Sequence, residues 1–71
     1  MLKLNKEQEK RLLRALRDDY YVNASLSYAA KRAEVIYRDA LDHITEKGLP
    51  FSGDDDELGK KKVDEMIAKI T

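Results

Sequence analysis

Apolar residues recur at the spacing of an α-helix in four stretches of the chain, and no stretch alternates between apolar and polar residues as a strand would. The first stretch predicts a helix from about Lys6 to Asp18, which begins at a capping box formed by Asn5 and Gln8. The aromatic and β-branched residues 20–22 end this helix and predict a connector. The apolar face of the helix carries Leu12, Leu13, Leu16 and Tyr20.

Two short helices joined by a tight corner follow the connector. Ser25 is a favourable N-cap for a second helix over Leu26 to Ala33, and Glu34 and Val35 form the corner. Small side chains on the inward face of this helix allow another helix to approach closely. The inward residues are Leu26, Ala29, Ala30 and Ala33.

The third helix is predicted over Ile36 to Lys47. Gly48 supplies the left-handed residue that commonly follows a helix, and Pro50 prevents continuation, so the stop signal is strong. We expect Phe51 to pack under the end of this helix. The inward residues are predicted to be Ile36, Ala40, Leu41 and Ile44.

A fourth helix is predicted over about residues 56–70. Asp54 and Glu57 are placed to cap its start, where negative charge suits the helix dipole. The apolar stripe of this helix allows two interpretations: it fills a groove on a partner, either a toxin or a second copy of the chain, or it completes the chain's own core. The stripe is therefore also the candidate partner-binding set and consists of Leu58, Val63, Met66, Ile67 and Ile70.

The pattern predicts one small all-α domain of four helices over residues 1–71, with a helix-turn-helix core at about residues 25–47. A chain this short buries only about 60% of its unfolded surface, so we expect it to form a homodimer. The absence of cysteine excludes disulfides and thiolate chemistry and suits a reducing compartment. Neither a signal peptide nor an apolar run of membrane-spanning length is encoded, so we expect a cytoplasmic protein.

Charged residues make up 39% of the chain, but the formal net charge is zero. This balance weakens a nucleic-acid interpretation, because DNA-binding domains usually carry a basic excess. The charges are unevenly distributed, since Met1 to Arg17 holds six basic residues and two acidic ones, whereas Asp54 to Glu57 is entirely acidic. Such asymmetry is compatible with a local basic face and equally with a surface of salt bridges.

The two helices around the corner have the outline of a helix-turn-helix, the unit that lays its second helix in the DNA major groove. In that interpretation Lys31 and Arg32 contact the phosphate backbone, Arg38 reads a guanine edge, and Tyr37 donates to a phosphate or stacks. The acidic residues of the third helix, Asp39, Asp42 and Glu46, oppose this interpretation unless they pair with a base or with Arg38.

The stretch from Ser25 to Phe51 has a characteristic outline. It begins with serine and leucine, contains paired alanines, and ends with a Gly48-Leu49-Pro50 plug that precedes an acidic run. In this outline it resembles small prokaryotic antitoxin-like helix-turn-helix proteins of the VapB-like type, over about 27 of the 71 residues. The resemblance implies an antitoxin-like, DNA-binding transcriptional regulator whose C-terminal segment binds and blocks a cognate toxin, often a ribonuclease. The sequence departs from the outline at Glu34, Ile36, Ala40 and His43.

Other chemistry is not indicated. His43 is the only histidine, and without a second histidine or a cysteine it predicts a surface or half-buried side chain and not a metal site. The chain has no phosphate-binding glycine loop and no nucleophile with a neighbouring base, so we expect neither catalysis nor a cofactor. The alternative function is a protein–protein interaction module that works through apolar helical faces and does not bind DNA.

Overall fold

The computed structural model describes residues 4–70, which form four helices around one core and contain no strand. The predicted small all-α domain is thus confirmed. Lys3, part of the basic N-terminal stretch, lies outside the described residues. The helices are α1, composed of Lys6–Ala15, a π-helical turn Leu16–Tyr20 and a short end Tyr21–Asn23; α2, Leu26–Ala33; α3, Tyr37–Glu46; and α4, Asp56–Ile70.

Helix α1 begins as predicted but ends later. The capping box is present, because the Gln8 amide donates to Asn5 Oδ1 at 2.8 Å and the Asn5 amide donates to Gln8 Oε1 at 3.2 Å. The predicted end at Asp18 is wrong, since the helix continues through a π-helical turn to Asn23. Aromatic and β-branched residues have modest helix propensity, but burial of the two consecutive tyrosines outweighs that local preference.

The tyrosine hydroxyls at the end of α1 hold the segment that follows α3. Tyr21 donates to the carbonyl of Pro50 at 2.9 Å, and the amide of Ser52 donates to the hydroxyl of Tyr20 at 2.9 Å. Burial, with smaller contributions from Tyr20 and from the charge of Asp56, raises the pKa of Tyr21 to about 12. At physiological pH this hydroxyl therefore remains a hydrogen-bond donor.

The end of α3 carries the predicted left-handed glycine but not the predicted phenylalanine contact. Gly48 has φ 66°, and the amide of Leu49 donates to the carbonyl of Ile44 at 3.0 Å. Leu49 is buried, whereas Phe51 is 50% exposed. The expected packing of Phe51 is therefore wrong, because the residue directly after the glycine is the one that a Schellman motif folds back onto the helix.

The inward face of α3 differs from the prediction. Ile36 is the extended N-cap residue and is 63% exposed, so α3 begins one residue later than expected. Leu41 is also partly exposed, and the residues that α3 buries are Ala40, His43 and Ile44. The buried face therefore includes His43 in place of Ile36 and Leu41.

Helix α4 packs on the chain's own core. Val63 is completely buried, so this residue is not available to a partner, contrary to its place in the predicted partner-binding set. Asp55, and not the predicted Asp54, caps the helix, because its carboxylate accepts from the amide of Leu58 at 3.1 Å. The half-buried residues of the stripe that pack against the core are Met66, Ile67 and Ile70.

Candidate nucleic-acid interface

A corner of three residues, 34–36, joins α2 to α3. The amide of Glu34 donates to the carbonyl of Lys31 at 3.1 Å, and the amide of Val35 donates to the carbonyl of Ala30 at 3.0 Å. These two bonds make a Schellman motif at the end of α2. Glu34 occupies the left-handed position, with φ 61° and ψ 38°, where glycine is usual. The corner thus matches the short connection of a helix-turn-helix in length but lacks its common glycine.

Helix α3 turns one face to the core and the other to solvent. The solvent face is mixed in character, because it combines apolar side chains with one basic and two acidic residues. Ile36 is 63% exposed and Tyr37 is 52% exposed, which are high values for apolar side chains. The exposed residues of α3 and its N-cap are Ile36, Tyr37, Arg38, Leu41, Asp42, Thr45 and Glu46.

Three of the four residues predicted to contact DNA lie in solvent on either side of the corner. Lys31 is in the last turn of α2, and Tyr37 and Arg38 are in the first turn of α3. Within residues 4–70, neither Lys31 nor Arg38 forms an ion pair or a side-chain hydrogen bond. Their charges are therefore available to an external group.

Arg32, the fourth predicted contact, has an internal partner. Its Nη1 lies 3.5 Å from both carboxylate oxygens of Asp19, and its guanidinium is 5.9 Å from the centre of the Tyr28 ring. The Asp19 carboxylate is almost completely buried, whereas the Arg32 side chain is 56% exposed. Arg32 therefore compensates a buried charge and also presents part of its guanidinium to solvent.

Asp19 was not expected to be buried. It lies in the π-helical turn of α1 and, at 4% exposure, sits in the core beside Tyr20. The sequence contains a signal for this position, because Asp19 comes three residues after Leu16 and so falls on the apolar stripe of the first helix. A carboxylate on such a stripe requires a partner, which α2 supplies.

The acidic residues of α3 remain close to the candidate interface. Asp42 and Glu46 are exposed, and Asp39 is half-buried. No ion pair joins any of them to Arg38 in the part of the chain that the structure describes. Their negative charges therefore oppose a close approach of phosphates along this helix.

His43 is buried, which corrects the expectation of a surface or half-buried side chain. Its Nε2 has no hydrogen-bond partner among residues 4–70 and lies 3.6 Å from Oε2 of Glu9 on α1. Burial lowers the pKa of His43 below its usual value, the carboxylate of Glu9 opposes this change, and the charge of Lys47 adds to it. At neutral pH His43 is therefore a neutral core residue that lies beside Glu9 of α1 without a hydrogen bond to it.

No three histidine, cysteine, aspartate or glutamate side chains among residues 4–70 are placed to hold a metal ion. None of the helices in that range is long and apolar enough to cross a membrane.

Comparison with known proteins adds no further assignment, because no protein family, no curated protein and no solved structure matches this chain.

Proposed function

We propose that this chain is an antitoxin-like, DNA-binding transcriptional regulator that inserts α3 into the major groove. The observation that supports the proposal is the corner at residues 34–36, which leaves the first turn of α3 exposed with an unpaired arginine. In helix-turn-helix proteins the N-terminal residues of the second helix are the ones that contact base edges. The proposed role of α3 therefore depends on Tyr37 and Arg38.

Each exposed side chain around the corner has a chemically defined role in this proposal. Arg38 donates two hydrogen bonds to the O6 and N7 atoms of a guanine, which gives base preference. Lys31 contacts a phosphate and contributes affinity that does not depend on sequence. Ile36 and Leu41 offer apolar contacts to thymine methyl groups, which suits their exposure.

The zero net charge implies few phosphate contacts per chain and therefore favours a dimer that binds two half-sites. We propose that α4 supplies part of a contact with a second copy of the chain or with a toxin. Leu58 is 41% exposed there, and Met66 and Ile70 are half-buried, so each retains some apolar surface. Such a regulator acts in the cytoplasm, where its DNA is located.

The experiment is a fluorescence-anisotropy titration of random duplex DNA, followed by selection of bound sequences from a random pool. If phosphate contacts dominate, the affinity for DNA falls steeply when the salt concentration is raised from about 50 to about 200 mM. Arg38→Ala should flatten the selected sequence preference, and Lys31→Ala should weaken binding to all sequences while reducing the salt slope by about 1. Lys69→Ala, an exposed change at the far end of α4, is the control. Absence of binding at the lower salt would overturn the proposal.

A second function is favoured by one specific observation. Ile36 at the N-cap of α3 and Tyr37 and Leu41, which lie one turn apart within it, all expose apolar surface, and groups of exposed apolar residues mark protein contacts more often than single ones do. A protein–protein interaction module would use this face and would not require Arg38. Loss of base preference in Arg38→Ala would favour the DNA function, whereas absence of DNA binding together with a complex abolished by Leu41→Asp would favour the interaction module.

A further inference from the structure

Three arginines surround a shallow cavity between α1 and α2, which no residue of α3 lines. The cavity has a volume of about 220 Å³, which leaves room for a phosphate group. Arg11 and Arg14 contribute from α1, and Arg32 contributes from α2. The other residues that line the cavity are Ala15 and Asp18.

The helical geometry explains why these side chains converge. Arg11 and Arg14 are three residues apart, so they lie on the same face of α1. That face also holds Ala15, whose small side chain leaves space between the arginines. Across the cavity, the buried carboxylate of Asp19 and the ring of Tyr28 hold the guanidinium of Arg32 in place. One of the three cations is therefore positioned in advance.

Among the described residues, the ion pairs around this cavity leave one arginine, Arg14, that no carboxylate neutralises. Asp18 is paired at 3.2 Å with Arg17, which also pairs with Asp64 at 2.8 Å, and Arg11 is paired with Glu34 at 3.2 Å. Arg14 is exposed and has no ion-pair partner among residues 4–70. The Arg11–Glu34 pair is open to water, with side chains 52% and 75% exposed, and such pairs contribute little to stability. Arg11 can therefore turn to another anion at low cost.

We propose that Arg11, Arg14 and Arg32 form a binding site for a phosphate group between α1 and α2. Guanidinium groups suit this ligand, because their planar forks donate parallel hydrogen bonds to phosphate oxygens. In a DNA complex the site holds one phosphate of the DNA backbone. This role in DNA binding rests on the proposed function. The site itself does not require that function, since free phosphate offers the same chemistry.

The first test uses inorganic phosphate and the full chain. Isotope-labelled protein is titrated with phosphate at constant ionic strength and pH while the side-chain Nε–H signals of the arginines are followed by nuclear magnetic resonance. The expected result is saturable shifts at Arg11, Arg14 and Arg32, with affinity reduced about tenfold in Arg14→Gln by loss of one charge-assisted contact. Arg14→Lys keeps the charge but not the fork and should recover only part of the affinity.

The control variant is Lys69→Gln, which removes one exposed positive charge that does not line the cavity. Its phosphate affinity should equal that of the unmodified chain. The proposed site would be overturned if Lys69→Gln reduced the phosphate affinity as much as Arg14→Gln does. It would also be overturned if the shifts increased linearly with phosphate concentration and did not saturate. Arg14 is exposed and unpaired in the described chain, so its replacement does not threaten folding.

The second test distinguishes the two sources of phosphate and separates this proposal from the proposed function. If the site holds a DNA phosphate, Arg14→Gln reduces the salt slope of duplex binding by about 1 and leaves the base preference unchanged. If phosphate shifts depend on Arg14 but the salt slope does not, the ligand is free phosphate. Arg38→Ala should lose base preference and keep the phosphate response. If Arg14→Gln leaves DNA binding unchanged and phosphate causes no shifts, the proposed phosphate site is excluded and the proposed function is unaffected.

Discussion

The ring of Tyr21 on α1 lies directly against the backbone of Gly59 on α4, in the space that a side chain at position 59 would occupy. A Cβ atom on Gly59 would overlap three atoms of the ring. The ring has little freedom to move, because Tyr21 is only 2% exposed and its hydroxyl is bound to the carbonyl of Pro50. Glycine in the interior of a helix normally lowers stability, and here the close packing offsets that cost.

The first prediction is that Gly59→Ala destabilises the protein although alanine is the better helix former. Overpacking against Tyr21 should cost about 3 kcal/mol, the upper end for a well-packed core, because the overlap is with a ring that cannot move, whereas the helix propensity of alanine returns about 1 kcal/mol. Urea unfolding measures the difference. The control is Ala68→Gly in the exposed part of the same helix, which should cost about 1 kcal/mol through propensity alone. A more stable Gly59→Ala variant would contradict the packing of α1 on α4.

The second prediction concerns the left-handed residue of the corner. Glu34 has a side chain where φ is 61°, and this conformation costs a non-glycine residue about 1 kcal/mol or more. Glu34→Gly relieves the strain, while Glu34→Ala removes the same exposed pair with Arg11 and keeps the Cβ atom. The glycine variant should therefore be more stable than the alanine variant by about 1 kcal/mol in chemical unfolding. Equal stabilities would show that Glu34 is not strained.

The third prediction is a loss of stability at mildly acidic pH caused by His43. Burial lowers its pKa in the folded protein, so the unfolded chain binds the proton first as the pH falls. The free energy of unfolding is therefore greatest above about pH 6.5 and decreases below it, by at most about 1.4 kcal/mol per pH unit. Unfolding curves should be compared with those of His43→Leu, which lacks the titrating group. The same pH dependence in both proteins would exclude His43 as the cause.

The fourth prediction concerns the pair between Asp19 and Arg32. Replacing Arg32 by Gln leaves a carboxylate that is 4% exposed without its partner and should cost about 1–3 kcal/mol. In the Asp19→Asn background the same change should cost much less, because no buried charge remains. A double-mutant cycle by urea unfolding measures this coupling. Additive effects would show that the pair does not stabilise the fold, and any loss of DNA binding in Arg32→Gln would then reflect a direct contact.

Local signals in the chain are sufficient for the number of helices and for most of their ends. Ser25 starts α2 and Gly48 follows α3 as expected, because caps act through hydrogen bonds to residues only three to five positions away. The corner was predicted for the same reason, although Glu34 stands where glycine is usual. The exposure of Arg38 on α3 also follows from helical periodicity, since this position lies opposite Ala40 and Ile44.

Contacts between distant segments decide the features that sequence reasoning missed. The continuation of α1 through a π-helical turn depends on the burial of its tyrosines beneath residues 50–59, which no local pattern encodes. The burial of Asp19 requires Arg32 from α2, and the burial of His43 places it beside Glu9 on α1. The composition and spacing of the residues therefore specify the helices, whereas the tertiary packing determines which of their polar side chains are internal and which remain free to bind.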